Sequence, residues 1–215
     1  MGSSIDELDD FIFSLFSNKR VEIVDNRISP SEDNSQIPLL RKHGFKESFI
    51  EVIMQVNNCE FKWSDPEDID ICGSSRILSI EDIINSYVLK RTDYDYRDED
   101  EHWLDFKIVD SVRPEWQIGI FCGKNATNSL YYIDGATPYY LGLNMEGYIK
   151  MLIATRGFIS WQWALIDYKA GKERTTALGE LKEHLPRLFP EVNIDEVFSL
   201  YDSLYFEEEM VPGAE

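Results

Sequence analysis

The apolar residues near the start of the chain recur at the spacing of a helix face. Ile5, Leu8, Ile12, Leu15 and Phe16 fall at helical intervals, and Ser4 followed by Glu7 forms a capping box, so a first helix is predicted over 5–17. VEIVDNRI (21–28) alternates apolar and polar positions at its start and suits a short strand. From Ser29 to Gln36 the chain is polar and contains Pro30, the mark of a loop. Phe45, Phe49, Val52, Ile53 and Val56 return to one helical face and predict a second helix over 45–57. Asn57-Asn58 can end it, because Asn tolerates a left-handed C-terminal position. CEFKW (59–63) reads as a strand, DPEDID (65–70) as an acidic turn, and Ser79 with Asp82 caps a third helix over 80–88.

Three alternating segments follow: WLDFKIV (103–109), WQIGIFCG (116–123) and SLYYIDG (129–135). Turn-like stretches containing Pro114 and Gly123-Lys124-Asn125 separate them, which predicts a meander of antiparallel strands. Trp103 and Trp116 are expected in the core at strand ends, with a cleft position as the alternative. Asn144 then caps a helix whose Met145, Tyr148, Ile149, Leu152 and Ile153 share one face, with Gly157 placed to end it. The stretch LIATRGFISWQWALIDY (152–168) is the most apolar in the chain. Phe158, Trp161, Leu165 and Tyr168 keep helical spacing beyond the glycine, so a further helix to about 168 is predicted. Leu152, Ile153, Phe158, Trp161 and Leu165 are expected to be buried. Trp163 falls off that face and is open to a pocket role. Lys150, Arg156 and Asp167 interrupt the region too closely for a bilayer span.

KAGKERT (169–175) is a basic linker, a helix over 176–185 is expected to stop at Pro186, and Asn193 with Glu196 caps a last helix over 194–205. The order of elements argues for an α+β fold, a mostly antiparallel sheet with helices packed on it and a C-terminal helical extension. One domain is expected over 1–215, with its core at about 40–168, the extension at about 174–205 and a frayed tail at 206–215.

Charge changes the picture of what such a domain could meet. Forty acidic residues against 21 basic ones give a net charge of −19. Nucleic acid and anionic membrane surfaces are disfavoured as partners, because binding phosphates needs a basic patch that releases counterions. A basic protein is favoured, and long-range steering would speed the encounter. Apolar residues make up 43% of the chain, enough for an ordinary core. Cys59, Cys72 and Cys122 are odd in number and form no CxxC pair, so buried free thiols in a reducing cytoplasm are expected. The N-terminal MGSSIDELDD has acids where a signal peptide needs bases.

Signs of catalysis are few. His43, His102 and His184 are far apart, and no HExxH, GxSxG, phosphate-binding loop or dinucleotide fingerprint occurs. Asp93, Asp95, Asp98 and Asp100 approach the spacing of a calcium loop but lack its central glycine and closing glutamate. No enzyme activity, metal or cofactor is therefore expected. The residues best suited to function are acids near aromatics, since aromatic anchors carry interface energy while charges set rate and orientation. The first set is Asp93, Tyr94, Asp95, Tyr96, Asp98, Glu99, Asp100 and Glu101, and the second is Asp65, Glu67, Asp68 and Asp70.

FIEVIMQVNNCEFKW (49–63) resembles the helix-to-strand element of the SUKH superfamily of cell-wall synthesis regulators and bacterial immunity proteins. GSSRILSIEDI (73–83) is similar to its next strand and helix, and SLYYID (129–134) to its strand ending in an aspartate. LNMEGYIKMLIATRGFISWQ (143–162) resembles the closing helix of a bacterial subgroup. The likeness covers about 49–165. It departs at Asn57-Asn58-Cys59, where the family has Asn-Gly, and at Glu146-Gly147, where it has Glu-Glu. An interior Gly147 would cost about 1 kcal/mol. The resemblance implies a non-catalytic SUKH-like α+β domain. It further implies an immunity protein that binds a cognate toxin, often a nuclease or deaminase with a basic groove, and neutralises it by occluding that groove. The alternative is an intracellular adaptor of the same fold that binds endogenous proteins. By the same resemblance Asp134 joins the candidate binding residues.

Overall fold

Among the described residues seven strands form one antiparallel meander in which each strand pairs with its neighbours in sequence. The computed structural model describes residues 4–29, 33–86, 101–113, 116–134, 137–172 and 175–208. The strands are β1 (Glu22–Ile28), β2 (Cys59–Ser64), β3 (Cys72–Ile77), β4 (Phe106–Arg113), β5 (Trp116–Phe121), β6 (Tyr131–Asp134) and β7 (Thr137–Tyr140). Between and after them come α1 (Ser4–Ser17), α2 (Ile37–Lys42), α3 (Glu47–Val56), α4 (Ile80–Asn85), α5 (Met145–Ala154), α6 (Trp161–Lys169), α7 (Thr176–Leu188) and α8 (Ile194–Leu204). The α+β class expected from the order of elements is the class observed.

Period-two alternation divides the strands between two apolar layers. On the helical side Phe61, Trp63, Val109, Ile118, Ile120 and Tyr132 join the main core. On the other side Phe106, Ile108, Phe121, Tyr131 and Ile133 form a smaller cluster. Trp103, from a 3-10 turn over Glu101–Asp105, packs its ring 5.5 Å from Phe106 and 6.0 Å from Phe121. That turn corrects the expected strand over 103–109, which begins instead at Phe106. Trp103 folds back over the aromatic cluster and Leu104 faces solvent, so neither keeps strand alternation.

The main core is wider than 40–168. Leu8, Phe11, Ile12 and Leu15 of α1, Leu178, Leu181, Leu185 and Leu188 of α7, and Val197, Phe198 and Tyr201 of α8 all belong to it. Each such side chain contributes about 2 kcal/mol on burial, and that burial holds helices too short to persist alone. α7 runs through Pro186 to Leu188 and does not stop before it. The proline sits in the last turn, where only the carbonyl of exposed Lys182 loses its amide partner and water can replace it. Nor is the chain loose over 206–208, while the rest of the expected frayed tail, 209–215, lies outside the described residues. The Phe206 amide donates to the Gly142 carbonyl, Tyr140 donates to the Phe206 carbonyl, and the Glu208 carboxylate accepts from the amides of Asn128 and Ser129. Gly147 lies in the first turn of α5, where its amide donates to the Asn144 side chain, so the penalty of an interior glycine does not arise. Asn58 takes the left-handed position with φ 57°, as an asparagine can.

β3 and β4 part company along the sheet. Ile77 pairs with Asp110, but the first half of β3 turns to the segment 157–159 instead. The Ser74 amide donates to the Gly157 carbonyl, and the Ile159 amide donates to that of Cys72. The Asp110 carboxylate closes the seam, accepting from the Ser75 hydroxyl (2.6 Å), the Arg76 amide (2.9 Å) and the Tyr148 hydroxyl (2.9 Å). Gly157 has φ 62°, and a Cβ there would come within 2.7 Å of the Phe61 ring. The indole of Trp63 donates to the Arg156 carbonyl at 2.7 Å. The middle of LIATRGFISWQWALIDY is thus a wedge in the sheet. Leu152, Phe158, Trp161 and Leu165 are buried as expected, while Ile153 is only partly so. All three cysteines are buried and unbridged.

Candidate protein-interaction surface

In a purely antiparallel meander the connections alternate between the two edges of the sheet. The β2–β3 turn, the end of β6 and the start of β1 therefore share one edge, as the pairings Glu22↔Ser64 and Trp116↔Asp134 require. The β3–β4 connection leaves from the other edge, about 20 Å away across six-residue strands. Asp65, Glu67, Asp68, Asp70 and Asp134 are thus on one edge. Asp93, Tyr94, Asp95, Tyr96, Asp98, Glu99 and Asp100 lie outside the described residues. Glu101 opens the 3-10 turn on the opposite edge.

The acidic turn is built by its own side chains. Asp65 accepts from the Glu67 amide at 2.8 Å and Asp68 from the Asp70 amide at 3.2 Å, while Pro66 restricts the backbone between them. Backbone bonds from Asp65 to the Ile71 carbonyl and from Ile71 to the Asp68 carbonyl close the loop. Asp65 itself is 2% exposed, which corrects its place among the binding acids. Its other carboxylate oxygen accepts from the Arg187 guanidinium at 2.6 Å, tying the turn to the C-terminal end of α7. Burial raises the Asp65 carboxyl. The Glu67 amide and the bond and charge of Arg187 outweigh it, leaving the pKa below its ordinary value.

Glu67, Asp68 and Asp70 face solvent on this frame, and between them Ile69 is 77% exposed. An aliphatic side chain on a rigid tip, ringed by three carboxylates, is suited to a basic partner surface with an apolar socket. Sequence reasoning picked the acids and passed over Ile69. The available signal was a β-branched residue set between two aspartates, Asp68 and Asp70, inside an acidic turn. Asp134 is exposed at the end of β6, opposite Trp116 on one side and Thr137 on the other.

Among the described residues no group of three or more His, Cys, Asp or Glu side chains is placed to hold a metal ion, and no helix is long and apolar enough to cross a membrane. Comparison of the chain with family models, with curated proteins and with solved structures returns no match in any of the three.

Proposed function

We propose that the chain is a non-catalytic protein-binding domain, an immunity protein that docks on a cognate bacterial toxin and occludes its basic active site. The observation that carries this reading is the braced acidic turn, with Ile69 presented among Glu67, Asp68 and Asp70. The net charge of −19 supports it, since an acidic surface is steered toward a nucleic-acid-binding groove and competes with the phosphates for it. The SUKH resemblance supports it separately through the order of its motifs.

In the test, the domain is co-expressed in the cytoplasm with the product of the adjacent reading frame, the proposed toxin, and growth is scored. Wild type restores growth, and a Glu67→Lys/Asp68→Lys/Asp70→Lys variant does not. A domain that serves as an adaptor for endogenous proteins would leave growth arrested in both cases, and that outcome overturns the reading.

A further inference from the structure

At the other end of α7 from Arg187 lies a second feature of the same sign. Thr176 and Arg187 are eleven residues apart on that helix, about 17 Å at 1.5 Å per residue. There residues of α6 and α7, with Lys172 and Thr175 between them, line an open cleft of about 500 Å³, Trp163, Asp167 and Glu180 among them. Asp167 is 1% exposed, yet only one of its oxygens is satisfied, by the Lys172 ammonium at 3.1 Å. The other has no hydrogen-bond partner among the described residues. A buried acceptor left so is costly and calls for a donor.

The cleft also holds the N-terminus of α7 and the Lys172 ammonium, features that by themselves favour an anion. The orphaned atom decides against one, because a carboxylate oxygen can only accept. Glu180, a second carboxylate on the rim, argues the same way. Lys172 is a point donor, more than half exposed, and reaches one oxygen only. A guanidinium is a planar fork that bonds both oxygens of a carboxylate and stacks on aromatic faces. Trp163, braced by Tyr139 at 4.7 Å and Tyr132 at 5.6 Å, supplies such a face.

We propose that the cleft receives the arginine side chain of a basic partner protein, and that Lys172 holds the place of that side chain until it arrives. The incoming guanidinium displaces the Lys172 ammonium, takes both oxygens of Asp167, meets Glu180 at the rim and lies against the Trp163 indole. The identity of the donor as a partner's side chain rests on the basic-partner reading above; the chemistry of the cleft does not.

The experiment uses N-acetyl-arginine methylamide, titrated into the full chain while the Trp163 indole N–H resonance, assigned with Trp163→Phe, is followed. The wild type is expected to show a saturable shift of that resonance, with a weaker response to the N-acetyl-lysine analogue. Lys172→Ala binds about fivefold tighter, since a partly exposed ion pair no longer competes. Asp167→Asn loses the shift. Should that variant fail to fold, as its melting curve and other indole resonances would reveal, Glu180→Gln at the rim serves instead and weakens binding. A Trp163 resonance that does not move in wild type or Lys172→Ala overturns the proposal, as does equal affinity in the carboxylate variants. Because no partner is present, that failure would leave the acidic turn untouched, and a failure of the turn would leave this result standing.

Discussion

The carboxylate of Asp65 and the guanidinium of Arg187 meet at 2.6 Å across 122 residues of chain, one wholly buried and the other half exposed. This pair sets the turn at the end of β2 against α7. Arg187→Ala leaves a buried carboxylate without its charged donor and should cost about 2 kcal/mol in urea unfolding at pH 7. Asp65 has its pKa held below the ordinary 3.8, so its contribution is present above that value and lost as pH falls through the native one. The deficit of Arg187→Ala should accordingly shrink in acid. A deficit equal at pH 7 and pH 3 would show that the pair does not act through charge.

Asp110 is the opposite case. Burial pushes its carboxyl up, against the lowering effect of hydrogen bonds from Ser75, Arg76 and Tyr148. A carboxyl raised in the folded state contributes stability that is full below its unfolded value and lost as pH rises through the native one. Asp110→Asn should therefore be more destabilising relative to wild type at pH 4 than at pH 7. Asp110→Ala, which also strands three donors at the β3–β4 seam, should cost more than Asp110→Asn, about 3 kcal/mol at pH 4, and its deficit should shrink toward pH 7 in the same way. Urea midpoints at the two pH values check both statements.

Glu208 closes the chain onto the sheet. Its carboxylate accepts from the Asn128 and Ser129 amides at 2.9 and 3.0 Å and pairs with Lys46 at 3.2 Å. Glu208→Ala should lower stability by about 1.5 kcal/mol, and Glu208→Gln by less, since the amide oxygen can still accept. Calorimetric melting of the three proteins checks the order.

Ile69 makes a cleaner probe of binding, because its exposure frees it from the core. Ile69→Ala should leave the melting temperature where it is, and should weaken partner binding about tenfold, the scale of an apolar anchor at an interface. A lowered melting temperature with unaltered binding would assign Ile69 to the fold instead.

How far the sequence disclosed all this depends on the range of the interaction. Helices α1, α3, α5 and α8 and the strand alternation of β2, β5 and β6 were legible, because caps and periodicity are local. The seam at Asp110 was not, since a strand aspartate flanked by Val109 and Ser111 looks solvent-facing until segment 157–159 wedges β3 away from β4. Asp65 was read as one more surface acid because its partner Arg187 lies at the far end of the chain. The run 152–168 was rightly read as core and α5 does end before Gly157, but periodicity does not disclose that Arg156, Gly157 and Ser160, all at positive φ, also shape a sheet insertion. Trp163, the residue left off the buried face, is the one that reaches a cleft. The two acidic sets looked equivalent along the chain, and the meander puts Glu67, Asp68 and Asp70 on one edge and Glu101, the one described member of the other set, on the opposite edge.

That separation allows the most direct test. Affinity for the product of the adjacent reading frame, the proposed toxin, is measured by calorimetry over a range of salt, for three proteins: wild type, Glu67→Lys/Asp68→Lys/Asp70→Lys, and a variant with Asp93, Asp95, Asp98 and Asp100 each changed to Lys. Binding at the edge that carries the β2–β3 turn predicts that the first variant loses affinity at least about tenfold and has a flatter salt dependence, while the second stays closer to wild type. Unchanged affinity and salt slope in the first variant, with the loss appearing in the second, would contradict it.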